Sequence, residues 1–470
     1  MVDRRLVAPP TVIVLFGATG DLSHRLVLPA LFRLAQQGLL PEDWRLVGNG
    51  RGDVSHEDFQ ETVRTSLEQF GPKPAEGPWD EFRSRLRFAG GGFDASDPGS
   101  LLDVVGRAED ELGGDAPYVH YLAVPPPAFA PLTEGLGQHG LNKDARIVYE
   151  KPFGTSMASF RELDHAAHAV FEESQIYRID HFLGKEAAQN IHVLRFANGL
   201  FARAWDRQHI DSVQIDVPET LDVSNRAEFY EHTGAILDML VTHLFQLAGE
   251  VAMEPCDDLD AESVAAAREE VIGCFRKLTW DDVVVGQYDG YRSLPGVAPD
   301  SRTETFVAAR LWVDNDRWAG VPFLLRTGKC MAASRQVVTV RFRAPEKGLP
   351  LGEEAALGNC LAFDLAGDGA IELTLVAKRP GVTLQLGSAT TTLPLGQAFH
   401  TPTLPAYSRL IHDVLVGDRS LFTRPDGLAH VWDVAGDLLV DKPEPAVYPV
   451  GSWGPAEAAE LVGPGGWLLG

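Results

Sequence analysis

The chain of 470 residues is longer than one typical core, so two domains are expected, each able to bury a sizeable interior. With 45% hydrophobic and 23% charged residues, the composition is that of a globular protein and excludes a disordered or fibrous one. The 66 acidic and 41 basic residues give a formal charge of −25, a field that repels nucleic acid and anionic membranes and confines any phosphate site to a local island of cations.

Residues 11–16, TVIVLF, read as a strand buried on both faces of a parallel sheet. GATGDLSHRLVLPALFRLAQQG follows. Gly17 and Gly20 fall at the strand-to-helix turn, where missing side chains let backbone N–H groups approach a pyrophosphate. Leu28, Leu31, Phe32 and Leu34 then line a helix that Gly38 suits as an end. GxxGDL falls short of the three-glycine fingerprint, and by itself it also fits a tight structural turn. The next strand, 44–48, leads to Arg51. An acidic residue there would take the ribose 2′-hydroxyl of NAD, whereas an arginine accommodates the 2′-phosphate of NADP.

A strand at 118–124 is closed by Pro125-Pro126-Pro127, which suits either a ligand-facing turn or a structural stop. A further strand, 146–149, runs into EKPFG and sets Lys151 at its carboxyl end, with Pro152 open to either peptide isomer. The first domain closes near residue 180. Around that point QIYRIDHFLGKEAAQNIHVLRF carries Asp180, His181 and Lys185, and a helix is predicted over 185–194. The four-residue spacing of His181 and Lys185 would set both on one helical face, as a solvated basic face or as a seat for an anion such as phosphate.

A strand at 212–217 precedes Glu219. GAILDMLVTHLFQL, 234–247, is apolar nearly all round and reads as a buried helix. Asp238, Thr242 and Gln246 share a stripe on it, with His243 about 100° from Thr242; by itself such a histidine reads as a bonded core residue. Strands over 303–313, 337–342, 371–376 and 382–386, with a loop at 289–300, predict an α+β second domain on a largely antiparallel sheet. Cys256, Cys274, Cys330 and Cys360 form no CxxC pair, and the apolar run 12–16 is too short for a signal core or a membrane span, so a reducing, cytoplasmic setting is expected.

Together these stretches resemble the glucose-6-phosphate dehydrogenase family. The matching segments are FGATGDL (16–22), EKPFG (150–154), RIDHFLGKE (178–186), LRFAN (194–198), VAMEP (251–255), PDSRTETFVA (299–308), GVPFLLRTGK (320–329) and GSWGP (451–455), collinear over almost the whole chain. The resemblance implies a Rossmann-like NADP-binding domain over 1–180 and a larger α+β domain over 181–470 for substrate binding and oligomerisation. It implies oxidation of C1 of glucose 6-phosphate to 6-phospho-D-glucono-1,5-lactone, the first step of the oxidative pentose phosphate pathway, with hydride passed to NADP or NAD, no metal, and a homodimer or homotetramer.

By the same resemblance His243 is the general base and Asp180 the carboxylate that orients it. His181 and Lys185 hold the sugar phosphate, while Lys151 stands between coenzyme and substrate. Glu219, Asp238 and Lys329 are further substrate contacts, and Gly17, Thr19, Gly20, Asp21, Leu22 and Arg51 hold the coenzyme. Four places depart from the family pattern. Leu26 and Ser334 stand where cations are usual, Glu228-Phe229-Tyr230-Glu231 replaces GYYD, and Thr242 replaces Asn. These leave open a related dehydrogenase acting on a different sugar or sugar phosphate, and a non-catalytic coenzyme-binding paralogue as a third reading.

Overall fold

The computed structural model describes residues 8–52, 54–256, 260–345, 358–463 and 465–470. They form two compact units. The first comprises Met1–Gly184, Asp260–Ala265 and Pro405–Pro425, and the second comprises Lys185–Leu259, Ala266–Leu404 and Asp426–Gly470.

In the first unit the strands are β1 (Thr11–Phe16), β2 (Trp44–Asn49), β3 (Leu86–Ala89), β4 (Tyr118–Leu122), β5 (Ala145–Tyr149) and β6 (Ile176–Ile179). Among the described residues they lie in the order β3-β2-β1-β4-β5-β6, all parallel, with Phe422–Thr423 antiparallel beyond β6. This is the doubly wound order of dinucleotide-binding folds, which reverses between β1 and β4 and opens a crevice at the carboxyl ends there. Register sets the edge of that crevice. Phe16 is level with Asn49 and with Leu122, Leu122 with Tyr149, and Tyr149 with Arg178. The residues that leave these strand ends therefore emerge along one edge: Gly17, Gly50-Arg51, Glu150-Lys151 and Asp180.

The segment Pro405–Pro425 completes this unit from far along the chain. Its helix, Ala406–Val416, buries Leu410, Ile411, Val414 and Leu415 in the same core as Leu15, Val27, Tyr121 and Ile179. Each such side chain contributes about 1.5–3 kcal/mol by leaving water. Arg146 reaches the helix's last turn, donating to the carbonyls of Val414 at 2.8 Å and Leu415 at 2.7 Å.

The second unit is built on β7 (Ile210–Pro218), β8 (Val283–Tyr288), β9 (Phe306–Leu311), β10 (Phe323–Gly328), β11 (Val337–Phe342), β12 (Cys360–Asp364), β13 (Ala370–Lys378) and β14 (Leu386–Pro394). Their order is β14-β13-β12-β11-β7-β10-β9-β8, followed by Ala446–Tyr448. The pairs β7–β10 and β8 with Ala446–Tyr448 are parallel, and the other pairs are antiparallel. The mainly antiparallel sheet expected from the sequence is thus present. The strand expected over 382–386 is not: Val382 and Leu384 lie exposed in the turn between β13 and β14, and pairing begins only at Leu386.

One helical run among the described residues, Ser224–Ala252, is long and apolar enough to cross a membrane, and 89% of its most apolar window is buried inside the protein. It is the buried helix that GAILDMLVTHLFQL predicts, with a different winding. Gly234 (φ 65°, ψ 176°) breaks it, Ile236–Leu244 is π-helical, and Phe245–Ala252 returns to α. It packs against the helix Glu186–Ala197, where Glu250 takes hydrogen bonds from His192 at 2.9 Å and Arg268 at 2.7 Å.

Candidate active site

In the first unit the turn after β1 has the shape a nucleotide phosphate requires. Gly17 is left-handed (φ 72°), and a Cβ there would lie 2.3 Å from the Ala123 carbonyl oxygen, so only glycine lets the ends of β1 and β4 close together. The turn then tightens. Gly20 N donates to Gly17 O at 2.9 Å, Ser23 Oγ donates to the same oxygen at 2.8 Å, and His24 N donates to Gly20 O at 3.0 Å. Thr19 and Asp21 are exposed, Asp21 facing Arg25 at 3.8 Å, and Leu22 is half-buried against the core. A π-helical turn, Ser23–Val27, leads into the helix Leu28–Gln36 and leaves Leu26 exposed. Arg51 is exposed past the end of β2, in a glycine-lined bend where a Cβ on Gly90 would lie 2.7 Å from Gly52 O. A backbone cradle and an accessible guanidinium fit a dinucleotide phosphate group.

Farther along the same edge the Lys151-Pro152 peptide is cis and Lys151 is half-buried. Glu150 beside it is buried, accepting from the Tyr121 hydroxyl at 2.6 Å and the Tyr407 hydroxyl at 3.4 Å. Burial pushes the Glu150 carboxyl up to about 7, against the pull of the Tyr121 hydroxyl and the Lys151 charge. Asp180, 3% exposed, accepts at Oδ1 from Phe182 N at 2.9 Å, and Leu183 N donates to its carbonyl at 3.2 Å. Residues 181–184 are therefore a turn, and His181, half-buried, lies parallel to the Tyr407 ring at 6.1 Å. The helix begins at Glu186 with Lys185 as its non-helical cap. The shared helical face expected for His181 and Lys185 is absent, because the Asp180 side chain bonds its own backbone two residues on and holds His181 out of the helix.

In the second unit, parallel pairing sets Gly328 opposite Pro218, so the next residues, Lys329 and Glu219, leave the sheet side by side. Lys329 is 2% exposed, pairs with Glu219 at 2.5 Å and sits 5.8 Å from the centre of the Tyr230 ring. Its backbone is fixed by Tyr448, whose hydroxyl donates to Lys329 O at 2.6 Å. Lys185 Nζ donates to Leu365 O at 3.2 Å. Ser334, at the position of the missing cation, is held locally: its Oγ accepts from Thr220 N at 2.9 Å, while Arg335 turns to Asp364 at 3.3 Å.

His243 is 1% exposed and Asp238 half-buried, both in the π-helical segment. Within this segment Thr242 Oγ1 donates to the Asp238 carbonyl at 2.7 Å, so Thr242 stays beside Asp238 as the expected stripe has it. Such π turns gather at functional sites.

The whole chain can be set beside known proteins. The profile of the glucose-6-phosphate dehydrogenase NAD binding domain matches residues 14–190, and that of the glucose-6-phosphate dehydrogenase C-terminal domain matches 192–467. The chain belongs to the glucose-6-phosphate dehydrogenase family. It is 36% identical to glucose-6-phosphate 1-dehydrogenase of Bacillus subtilis over 97% of both chains, and 37% identical to that of Mycolicibacterium smegmatis over 96% of both. A solved glucose-6-phosphate dehydrogenase in complex with its substrate glucose-6-phosphate shares its fold with TM-score 0.90, 31% identity and 99% coverage of both chains. The enzyme from Mycobacterium avium follows, with TM-score 0.86, 32% identity, and coverage of 98% of this chain and 99% of that one.

Two residues of this edge, Glu150 and Tyr407, are not singled out by motif or spacing in the sequence. For Glu150, inside EKPFG, a carboxyl directly after an apolar strand is the signal that marks it. Tyr407 carries no local signal, since only the return of Pro405–Pro425 to the first unit brings it beside His181.

Proposed function

We propose that the chain oxidises C1 of glucose 6-phosphate to 6-phospho-D-glucono-1,5-lactone, using NADP in preference to NAD. The observation that carries this reading is the end-to-end match to both domains of the family in a chain that keeps the coenzyme turn and the buried His243. When bound, the dinucleotide supplies the hydride acceptor. His243 takes the C1 hydroxyl proton while the C1–H electron pair leaves as hydride and the C1 carbonyl forms, and Asp180 stabilises the imidazolium. His181 and Lys185 hold the 6-phosphate, Lys151 stands between coenzyme and sugar, and Glu219, Asp238 and Lys329 meet sugar hydroxyls. Gly17 to Leu22 cradle the coenzyme phosphates, and Arg51 meets the 2′-phosphate.

The test is His243→Asn, which keeps size and removes basicity. Turnover should fall about 10²–10⁴-fold with coenzyme affinity unchanged, and wild-type turnover would sink the assignment. A related hexose phosphate as substrate is the second reading, favoured by exposed Leu26 and by Ser334 bonded to Thr220 in place of two cations. Initial rates across several hexose 6-phosphates decide between them.

A further inference from the structure

The break at Gly234 leaves the helix that follows with unpaired N–H groups at its start, and a buried helix start needs partners for them. A single residue supplies two. Ala235 N donates to the Glu304 carbonyl at 2.9 Å, and Ile236 N donates to Glu304 Oε1 at 3.0 Å. Glu304 is 1% exposed, and its second oxygen is paired with Lys442 Nζ at 2.9 Å. Gly234 makes room for this carboxylate, because a Cβ there would lie 2.4 Å from Glu304 Oε1. A negative group at a helix start is favourable, and the lysine partner offsets the cost of burying it. The segment so anchored, Ile236–Leu244, is the one that carries Asp238 and His243.

We propose that Glu304, held by Lys442, is a positioning residue that fixes the start of this π-helical segment and thereby aims His243. The inference rests on His243 being the base. His243 follows Ile236 by seven residues, fewer than two turns, so a shift at the cap moves the imidazole with little to absorb it. A misplacement of about 1 Å at a reacting group costs on the order of 10²-fold in rate.

The experiment measures kcat, KM for both substrates and melting temperature for the full-length chain carrying Glu304→Ala, Glu304→Gln or His243→Asn, and for each Glu304 variant combined with His243→Asn. Glu304→Ala should lower kcat about 30–100-fold with both KM values within about threefold. Glu304→Gln, whose amide oxygen still accepts from Ile236, should lose only about 3–10-fold. In the His243→Asn background either change should cost less than about threefold, since there is no base left to aim. An equal loss in both backgrounds, or wild-type kcat in a folded Glu304 variant, overturns the positioning role. If the alanine variant does not fold, the glutamine variant decides by the same comparison. Wild-type turnover in His243→Asn alone would instead mark failure of the base assignment.

Discussion

Replacing Glu150 by glutamine should flatten the pH dependence of stability between about pH 5 and 8. The carboxyl is enclosed at the end of β5, and burial raises its pKa from 4.5 to about 7; the Tyr121 hydroxyl, the Lys151 charge and the Tyr407 hydroxyl pull the other way without reversing the shift. Between those two values the folded protein keeps a proton that the unfolded chain has released. The stabilisation is therefore fully present below about pH 4.5 and is lost as the pH rises through 7. A shift of about 2.5 units corresponds to about 3 kcal/mol. For a cooperative unit of about 200 residues this is roughly 6–12 °C in melting temperature. Glutamine still accepts from Tyr121 and cannot ionise, so the variant should lack this slope. Calorimetric scans in steps from pH 5 to 8, read as wild type minus variant for the first unit, measure it. Parallel curves across that range would refute the buried-carboxyl argument.

Gly17→Ala should weaken NADPH binding by at least about tenfold, because a left-handed non-glycine residue costs roughly 1–2 kcal/mol and the new methyl must push the Ala123 carbonyl away. Coenzyme fluorescence titration reads this, and an unchanged Kd would count against the cradle. Arg51→Ser should reduce affinity for NADP roughly 10–150-fold, the worth of one charge-assisted hydrogen bond at about 1.5–3 kcal/mol, and leave NAD within about twofold. Equal losses for both coenzymes would show that Arg51 does not read the 2′-phosphate.

What was legible in the sequence was local. TVIVLF and VVTVRF declare themselves by runs of β-branched residues, and β1 and β11 occupy those six-residue windows. GAILDMLVTHLFQL is apolar enough to announce burial, yet the π-helical winding of Ile236–Leu244 is invisible to a 3.6-residue period. The spacing of His181 and Lys185 suggests one face only if the segment is helical, and a single side-chain bond from Asp180 makes it a turn. VTLQL reads as a strand by composition, but the chain must reverse there between β13 and β14. Long-range placement was the least legible, as the joining of Glu304 to Ile236 across 68 residues illustrates.

The first unit has a consequence for synthesis on the ribosome. Its sheet edge at β6 and the core face that receives Leu410, Val414 and Leu415 cannot be covered until residues 405–425 exist. About 240 residues separate Gly184 from Pro425, so at roughly 5–20 residues per second the half-made unit waits about 12–50 s with that edge open. A fragment ending at residue 184 would expose the same edge permanently.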